Sequence, residues 1–273
     1  MELSEKLTYP KNFIKYLGTS GGRFSMIKQA RSTGGIWFSF GGLSGVIDPG
    51  PGSLVHICEA EPHLDSESIE FVLLTHKHID HTTDANVLIE CMTHGGYEDR
   101  GLLVAPNDAL YGDDPVIMKY SLKRIARVEV PEDGKIINLG KGVTAEAVAH
   151  RHHGVKCFGY IFRLAGHSDW GLISDTRLLP TFANRYAGCR FISVNTTFPH
   201  PHNRLEHMSV DEARDLIEEL RPESAVLTHL GAMLTSRDGL HSLENLGTEH
   251  SRVTAATDGM VVDLDTLEMY ETN

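Results

Sequence analysis

The densest group of potential metal ligands in the sequence lies between residues 76 and 81. Within six residues, His76, His78, Asp80 and His81 supply three imidazoles and one carboxylate. A regular strand or helix cannot turn positions i, i+2, i+4 and i+5 to one side, so the spacing predicts a loop. Imidazole and carboxylate together are ligands typical of zinc and similar ions. The pattern predicts a site for two metal ions, with His76 and His78 directed to one ion and Asp80 and His81 to the other.

The elements around this loop follow from the apolar pattern. Residues 70–75 are a nearly continuous apolar run, which is typical of a strand covered on both faces and would deliver the histidines. Residues 84–91 then show helical spacing, and residues 101–105 are again apolar. Upstream, two apolar runs at 36–40 and 45–48 are separated by Gly41 and Gly42, which predicts a hairpin. The first half of the chain therefore predicts paired strands followed by a strand–helix–strand step.

The second half of the chain repeats this order. Apolar runs at 136–139, 143–148, 158–164 and 171–174 predict further strands. Ser209 and Glu212 predict a capping box, and they begin a helix that Pro222 ends, with an apolar face made of Val210, Ala213, Leu216, Ile217 and Leu220. Strands follow at 225–228 and 261–264. We expect an α/β fold, an αββα four-layer sandwich of two mixed β-sheets with outer helices, and a single domain over residues 1–273 because no linker is evident.

Charge and composition limit the partners. The formal net charge of −12 argues against long nucleic acids, whose binding depends on phosphate neutralisation. The spacing of Lys119, Lys123, Arg124 and Arg127 predicts one cationic helix face, which is more often simply solvated. The N-terminal residues 1–6 resemble no signal peptide, no run could span a membrane, and the four cysteines form no CxxC pair. We therefore expect a cytoplasmic protein with reduced, buried thiols and no membrane partner.

Residues 75–81 resemble the second motif of the metallo-β-lactamase superfamily, His-x-His-x-Asp-His after a strand. Asp48 ends the apolar run 45–48 and is followed by Pro49 and Gly50. It resembles the first motif, an aspartate that orients the metal loop. The resemblance covers nearly the whole chain and implies a metal-dependent hydrolase of that fold. It implies two divalent metal ions, with Zn²⁺ the first expectation and Mn²⁺ or Fe²⁺ the alternatives.

The same resemblance implies the remaining ligands. His150, His152 and His153 are three candidates for the third motif. In ribonuclease Z and related phosphodiesterases the ligand precedes an aromatic-Gly-Tyr strand by a fixed step, and residues 153–160 resemble that pattern. His153 is therefore predicted as the ligand, and His150 and His152 as neighbouring or surface residues. Asp175 resembles the fourth motif, a carboxylate that bridges both metals, and His229 resembles the fifth.

Catalytic roles are implied for His207 and Asp80. Related phosphodiesterases carry a non-ligand histidine just before a helix, where it contacts the phosphate and protonates the leaving oxygen, and His207 stands before the capped helix. A surface histidine is the competing interpretation, and His200 and His202 compete for the same role. Residues 17–23 resemble the Gly-rich segment of ribonuclease Z-like proteins, although a plain turn explains them nearly as well.

The resemblance to that branch implies a phosphodiesterase in which a hydroxide held between the metals attacks the phosphorus. Only 21 residues separate His153 from Asp175, so the long RNA-binding arm of the tRNA-processing enzymes is missing. This favours a small or cyclic phosphodiester as substrate, and the resemblance to dimeric relatives implies a homodimer. The alternatives are a lactone or thioester hydrolase on the same two metals and, from another class, a noncatalytic metal-stabilised binding protein.

Overall fold

The structure, a computed structural model, describes residues 8–236 and 239–272. Residues 1–6, which carry the expectation about a signal peptide, lie outside these ranges. Within the described ranges, no helix combines the length and apolar character needed to cross a membrane. All of the predicted site residues are among those described.

The described residues form fifteen strands and seven α-helices, with short 3₁₀ turns between them. The strands are β1 (Phe13–Tyr16), β2 (Ile36–Phe40), β3 (Leu43–Ile47), β4 (Phe71–Leu73), β5 (Arg100–Val104), β6 (Ile125–Glu129), β7 (Ile136–Gly140), β8 (Val143–His152), β9 (Val155–Arg163), β10 (Trp170–Ile173), β11 (Phe191–Asn195), β12 (Ser224–Thr228), β13 (Arg252–Ala255), β14 (Met260–Asp263) and β15 (Met269–Glu271). The helices are α1 (Arg23–Lys28), α2 (Ser53–Cys58), α3 (Ile79–Thr82), α4 (Ala85–Met92), α5 (Asn107–Leu110), α6 (Phe182–Arg185) and α7 (Val210–Leu220).

Two mixed sheets pack face to face. The first has the order β15-β14-β1-β2-β3-β4-β5-β6 and the second the order β13-β12-β11-β10-β9-β8-β7. The core between them is rich in aromatic rings, among which Phe38, Phe162 and Trp170 lie within 6 Å of one another by ring centroids. Two further apolar layers cover the outer faces, one against α2 and α4 and one against α6 and α7. The αββα sandwich expected from the sequence is confirmed.

Strand directions bring the chemistry to one edge. Strands β3 to β6 run parallel in the first sheet, and β10 to β13 run parallel in the second. Strand β9 lies between β10 and β8 and is antiparallel to both, so β8 runs in the same direction as β10 and ends at the same edge of the sheet. Side chains that follow β3, β4, β8, β10 and β12 therefore meet at the same edge, as is usual for sites in α/β folds.

Two hairpins are set by residues in the left-handed region. Gly41 and Gly42 have φ of 60° and 77° and join β2 to β3, as the sequence predicted. His153 and Gly154 have φ of 40° and 75° and join β8 to β9, with His152 paired to Val155. Two successive positive φ values match the right-handed twist of the paired strands. The second hairpin fixes His152 as the last residue of its strand and places His153 in the turn.

Some sequence expectations are wrong. The predicted cationic helix is absent from the described chain around 119–127: residues 121–123 form a single 3₁₀ turn, and Arg127 lies in β6. The β-branched and apolar residues of 125–128 favour the strand once β5 offers an edge for pairing. All four cysteines are free, as expected, but Cys58 is exposed, contrary to the expectation that all are buried.

The capping box at α7 gives a test of the helix that follows the His207 segment. The Ser209 hydroxyl accepts the Glu212 backbone N–H, and the Glu212 carboxylate accepts the Ser209 N–H. We expect Ser209→Ala to lower the free energy of unfolding by about 1 kcal/mol, measured by urea denaturation. Glu212→Gln keeps an acceptor at that position and is the matched control. Equal stability of Ser209→Ala and wild type would show that the cap contributes nothing.

Candidate metal centre

Three imidazoles converge in the first of two groups at this edge. Nε2 of His76 and Nε2 of His152 each lie 3.0 Å from Nδ1 of His78. His76 follows β4 and is fully buried, His78 precedes α3, and His152 ends β8. The site thus draws its first group from both sheets, and one nitrogen of each ring can reach a common point.

A carboxylate and two imidazoles form the second group. Nε2 of His81 lies 3.0 Å from Nε2 of His229, and Oδ2 of Asp80 lies 3.3 Å from the same His229 nitrogen. Asp80 and His81 belong to the one-turn helix α3. The predicted loop therefore covers only the residues up to His78, and the rest of the motif is a helical turn. His229 directly follows β12.

Asp175 is buried between the two groups. Its Oδ2 atom lies 3.6 Å from Nε2 of His152 in the first group and 3.6 Å from Nε2 of His81 in the second. Its Oδ1 atom accepts a hydrogen bond of 2.7 Å from the side-chain amide of Asn195. A single carboxylate in this position can contact ligands of both groups at once.

The outer nitrogens of His76, His81 and His152 have their own partners, and these partners orient the rings. Asp48 accepts from the Thr75 N–H and hydroxyl, both at 2.7 Å, and Oδ2 of Asp48 lies 2.9 Å from Nδ1 of His81. Because the Thr75 hydroxyl proton is directed to Asp48, its oxygen is free to accept from Nδ1 of His76 at 3.0 Å. Asp48 therefore orients His76, through Thr75, in the first group and His81 in the second. The first motif implied this role, an aspartate that orients the metal loop.

The donor set fits a divalent cation. The backbone carbonyl of Glu206 can only accept, so Nδ1 of His152 carries a proton and donates it at 2.8 Å. The inward nitrogens of His152 and His76 then present lone pairs, and both face His78. A proton on His78 can form a hydrogen bond with only one of these two lone pairs. A tetrahedral zinc ion, with Zn–N bonds of about 2.0–2.1 Å, can bind the inward nitrogens of all three rings. Residues of this kind, beside buried carboxylates, suit a divalent metal site.

Charge supports the same conclusion. Burial opposes protonation of His81, but the carboxylates of Asp48, Asp80 and Asp175 outweigh burial and raise its pKa well above the usual value. In the first group burial dominates instead and lowers the pKa of both His78 and His152 to about 4. The second group therefore concentrates negative charge around an imidazole, and the first offers neutral nitrogens. A cation bound here would take the place of that proton as the partner of the carboxylates.

At the third motif, the histidine that lies beside His76 and His78 is not the one chosen from the sequence. The structure places His152, and not His153, in the first group: the His152 ring lies 4.7 Å from that of His78 by centroids, and the His153 ring lies 6.4 Å away. The reason is the two-residue hairpin turn, which holds His153 outside the strand and exposed. Counting back from the aromatic-Gly-Tyr strand does not reveal how short that turn is.

His150 lies away from both groups. Its Nδ1 and Nε2 atoms lie 3.0 Å from the Ser174 hydroxyl and 2.9 Å from the Tyr186 hydroxyl, and burial lowers its pKa to about 3. It packs on the outer face of the second sheet against Phe182 and Tyr186. This position agrees with the expectation that His150 is a neighbouring residue and not a ligand. His200 is exposed and pairs with Asp211, and His202 is exposed. Neither of these two competes for the site.

His207 reaches the site without belonging to either group of three. Its Nδ1 atom lies 3.5 Å from Oδ2 of Asp175 and 3.1 Å from the Thr197 hydroxyl. Within the described ranges, Nε2 of His207 has no hydrogen-bond partner. Burial lowers its pKa to about 4, although Asp175 acts in the opposite direction. The surface interpretation of this histidine is therefore wrong.

The Gly-rich segment approaches the site closely. The Gly22 N–H donates to Oδ2 of Asp80 at 2.8 Å. A Cβ atom on Gly21 would lie 2.1 Å from the His229 ring, so only glycine allows this approach. The interpretation as an ordinary turn is insufficient, because the segment contacts the second group directly.

Sequence reasoning missed two supporting residues. Asn195 at the end of β11 holds Asp175, and Glu206 accepts from His152. Their partners are 20 and 54 positions away, so no local spacing points to them. The one available indication was position: Asn195 ends a strand, and Glu206 precedes His207.

Sequence comparison decides the family. Residues 46–230 match the family described as the Beta-lactamase superfamily domain, and this span covers more than half of the chain. The chain belongs to this superfamily. Its members are metal-dependent hydrolases, in agreement with the donor set at the edge of the two sheets.

Individual relatives agree with this assignment. The chain is 29% identical over 229 residues to the uncharacterized protein MJ1374 of Methanocaldococcus jannaschii, with 82% of this chain and 84% of the relative covered. It is similar in fold to the metallo-beta-lactamase fold protein YhfI from Bacillus subtilis, with a TM-score of 0.72 and 19% identity over 92% of this chain and 98% of that one. A diphosphatase from the PhnP family has a TM-score of 0.66 and 18% identity, covering 92% of this chain and 97% of that one.

The assignment of the third ligand can be tested by metal content. We expect His152→Ala to lose the ion of the first group, because it removes one of three inward nitrogens. His153→Asn should retain that ion, and asparagine tolerates the left-handed backbone of the turn. Bound metal is measured by mass spectrometry after dialysis against a weak chelator. Loss of metal from His153→Asn together with retention in His152→Ala would restore the assignment made from the sequence.

Proposed function

We propose that the protein is a metal-dependent phosphodiesterase that hydrolyses a small or cyclic phosphodiester. Two divalent ions, Zn²⁺ in the first instance, would occupy the two groups. The first would be held by His76, His78, His152 and Asp175, and the second by Asp80, His81, His229 and Asp175. This set replaces His153 of the sequence-based prediction with His152.

The position of His207 carries the proposal. A site that only hydrolyses an acyl bond has no need of a further imidazole beside the shared carboxylate. His207 is 13% exposed at its side chain, lies 3.5 Å from Asp175, and has one ring nitrogen without a protein partner in the described chain. An imidazole placed in this way can give a proton to a departing alkoxide.

The roles of the residues follow from their contacts. The bound ions would supply Lewis acidity towards the phosphate and a water molecule. Thr197 and Asp175 fix the His207 ring through Nδ1, which leaves Nε2 to donate to the leaving oxygen. Asp48 and the Glu206 carbonyl lie against the outer nitrogens of His81 and His152, so these rings are oriented with their other nitrogen towards a bound ion. Asp80, held by the Gly22 N–H, ties the Gly-rich segment to the second group.

Two observations support a small phosphorus ester over a long RNA. The formal net charge of −12 disfavours extended binding of a polyanion. The step from β9 to β10 is short, because β9 ends at Arg163 and β10 begins at Trp170, which leaves no room for an RNA-binding arm. The similarity to a PhnP-family diphosphatase in fold is consistent with phosphorus chemistry.

Turnover by the metal-loaded protein tests the proposal. We expect hydrolysis of bis-p-nitrophenyl phosphate in preference to lactone and thioester substrates. His207→Ala should lower kcat by about 10²- to 10⁴-fold for a diester with an alkoxide leaving group. The loss should be smaller with p-nitrophenolate, a stable anion that departs without protonation.

His200→Ala is the control, because His200 is an exposed histidine that contacts Asp211 and lies outside the site. It should match wild type with both esters. Faster turnover of a lactone or thioester, with no effect of His207→Ala, would replace the proposal with acyl hydrolysis. Bound metal without turnover of any ester would favour the noncatalytic alternative.

A further inference from the structure

His153, released from the ligand set, occupies the rim of the site. Its ring lies 4.6 Å from the His152 ring and 5.4 Å from the His207 ring by centroids. The residue is exposed, and in the described chain neither of its ring nitrogens has a hydrogen-bond partner. It is a second imidazole at the entrance that the proposed mechanism does not use.

The turn constrains the backbone at His153. Its φ of 40° lies in the left-handed region, which glycine adopts freely and asparagine, aspartate and histidine adopt more readily than other residues. The hairpin itself requires only a residue that tolerates this conformation, so the turn alone does not explain the imidazole.

Glu206 holds this turn in place. Its carboxylate accepts the His153 backbone N–H at 2.5 Å through one oxygen and the Arg151 guanidinium at 2.6 Å through the other. Its carbonyl accepts from His152, and the next residue is His207. One residue therefore fixes the position of His153 relative to both the first group and the candidate acid.

The spacing of the imidazoles fits a shared oxygen. One nitrogen each of His152, His153 and His207 lie within 4.8 Å of one another. An oxygen that accepts two hydrogen bonds of about 2.9 Å at a roughly tetrahedral angle has its donors about 4.7 Å apart. A phosphate oxygen between His153 and His207 can therefore accept from both rings.

We propose that His153 is a substrate-contacting residue that donates a hydrogen bond to a non-bridging oxygen of the phosphate, beside His207, from a turn positioned by Glu206. This inference rests on the proposed function, since it names how the same site holds a phosphate group. It assigns His153 to the substrate and not to the metal.

Binding of inorganic phosphate to the metal-loaded protein, measured by calorimetry, is the direct test. We expect His153→Asn to weaken phosphate binding about tenfold, because one hydrogen bond to a charged group is lost, with the metal content unchanged. Glu206→Ala should weaken phosphate binding in the same direction, since the turn is released while the carbonyl that orients His152 remains. In turnover assays, His153→Asn should raise KM more than it lowers kcat.

His167→Asn is the matched control, because His167 is a partly exposed histidine that pairs with Asp265 far from the site. It should bind phosphate as wild type does. Unchanged phosphate affinity in His153→Asn would overturn the inference, as would loss of metal in that variant. Failure of wild type to hydrolyse any phosphodiester while His153→Asn still weakens phosphate binding would contradict the proposed function alone.

Discussion

The buried carboxylate of Asp175 is the contact on which the rest of the site depends. A buried charge is costly unless it is paired and hydrogen-bonded. Asp175 meets this condition only because imidazoles from both groups surround it and Asn195 donates to it. Burial would raise its pKa, but His229 and His81 outweigh burial and lower that pKa well below the usual value. The carboxylate stays ionised, so it is available to a metal ion on either side.

The two-sheet core makes that contact geometrically available. The carboxylate, its imidazole partners and its amide donor follow different strands, and they meet because parallel strands in each sheet end at one edge. The aromatic core fixes the two sheets against each other, and the Phe158 N–H donates across to the Thr75 carbonyl. The outer partners, Asp48 and Glu206, then set which nitrogen of His81 and of His152 faces inward.

The part of the site that lies close together in sequence was predictable. His76, His78, Asp80 and His81 are recognisable because their spacing and the preceding apolar strand are local properties. Asp175 and His229 are ordinary strand-end residues by themselves, and only the resemblance to a family selected them. The structure brings both of them to the predicted cluster.

The choice between His152 and His153 for the first group depends on the length of one hairpin turn. The pattern of apolar residues does not encode that length. Strand β6 was missed because its one basic residue, Arg127, continues the helical spacing of the basic residues that precede the strand. Asn195 and Glu206 act through partners far along the chain. Pairing between distant segments decides such cases, and one sequence does not show it.

Anomalous diffraction from crystals grown with zinc would show directly whether Asp175 lies between two ions, because it locates ions without reference to activity. We expect two ions, one contacting His76, His78 and His152 and the other contacting Asp80, His81 and His229, with Asp175 between them. A single ion, or an ion bound to His153 in place of His152, would contradict it.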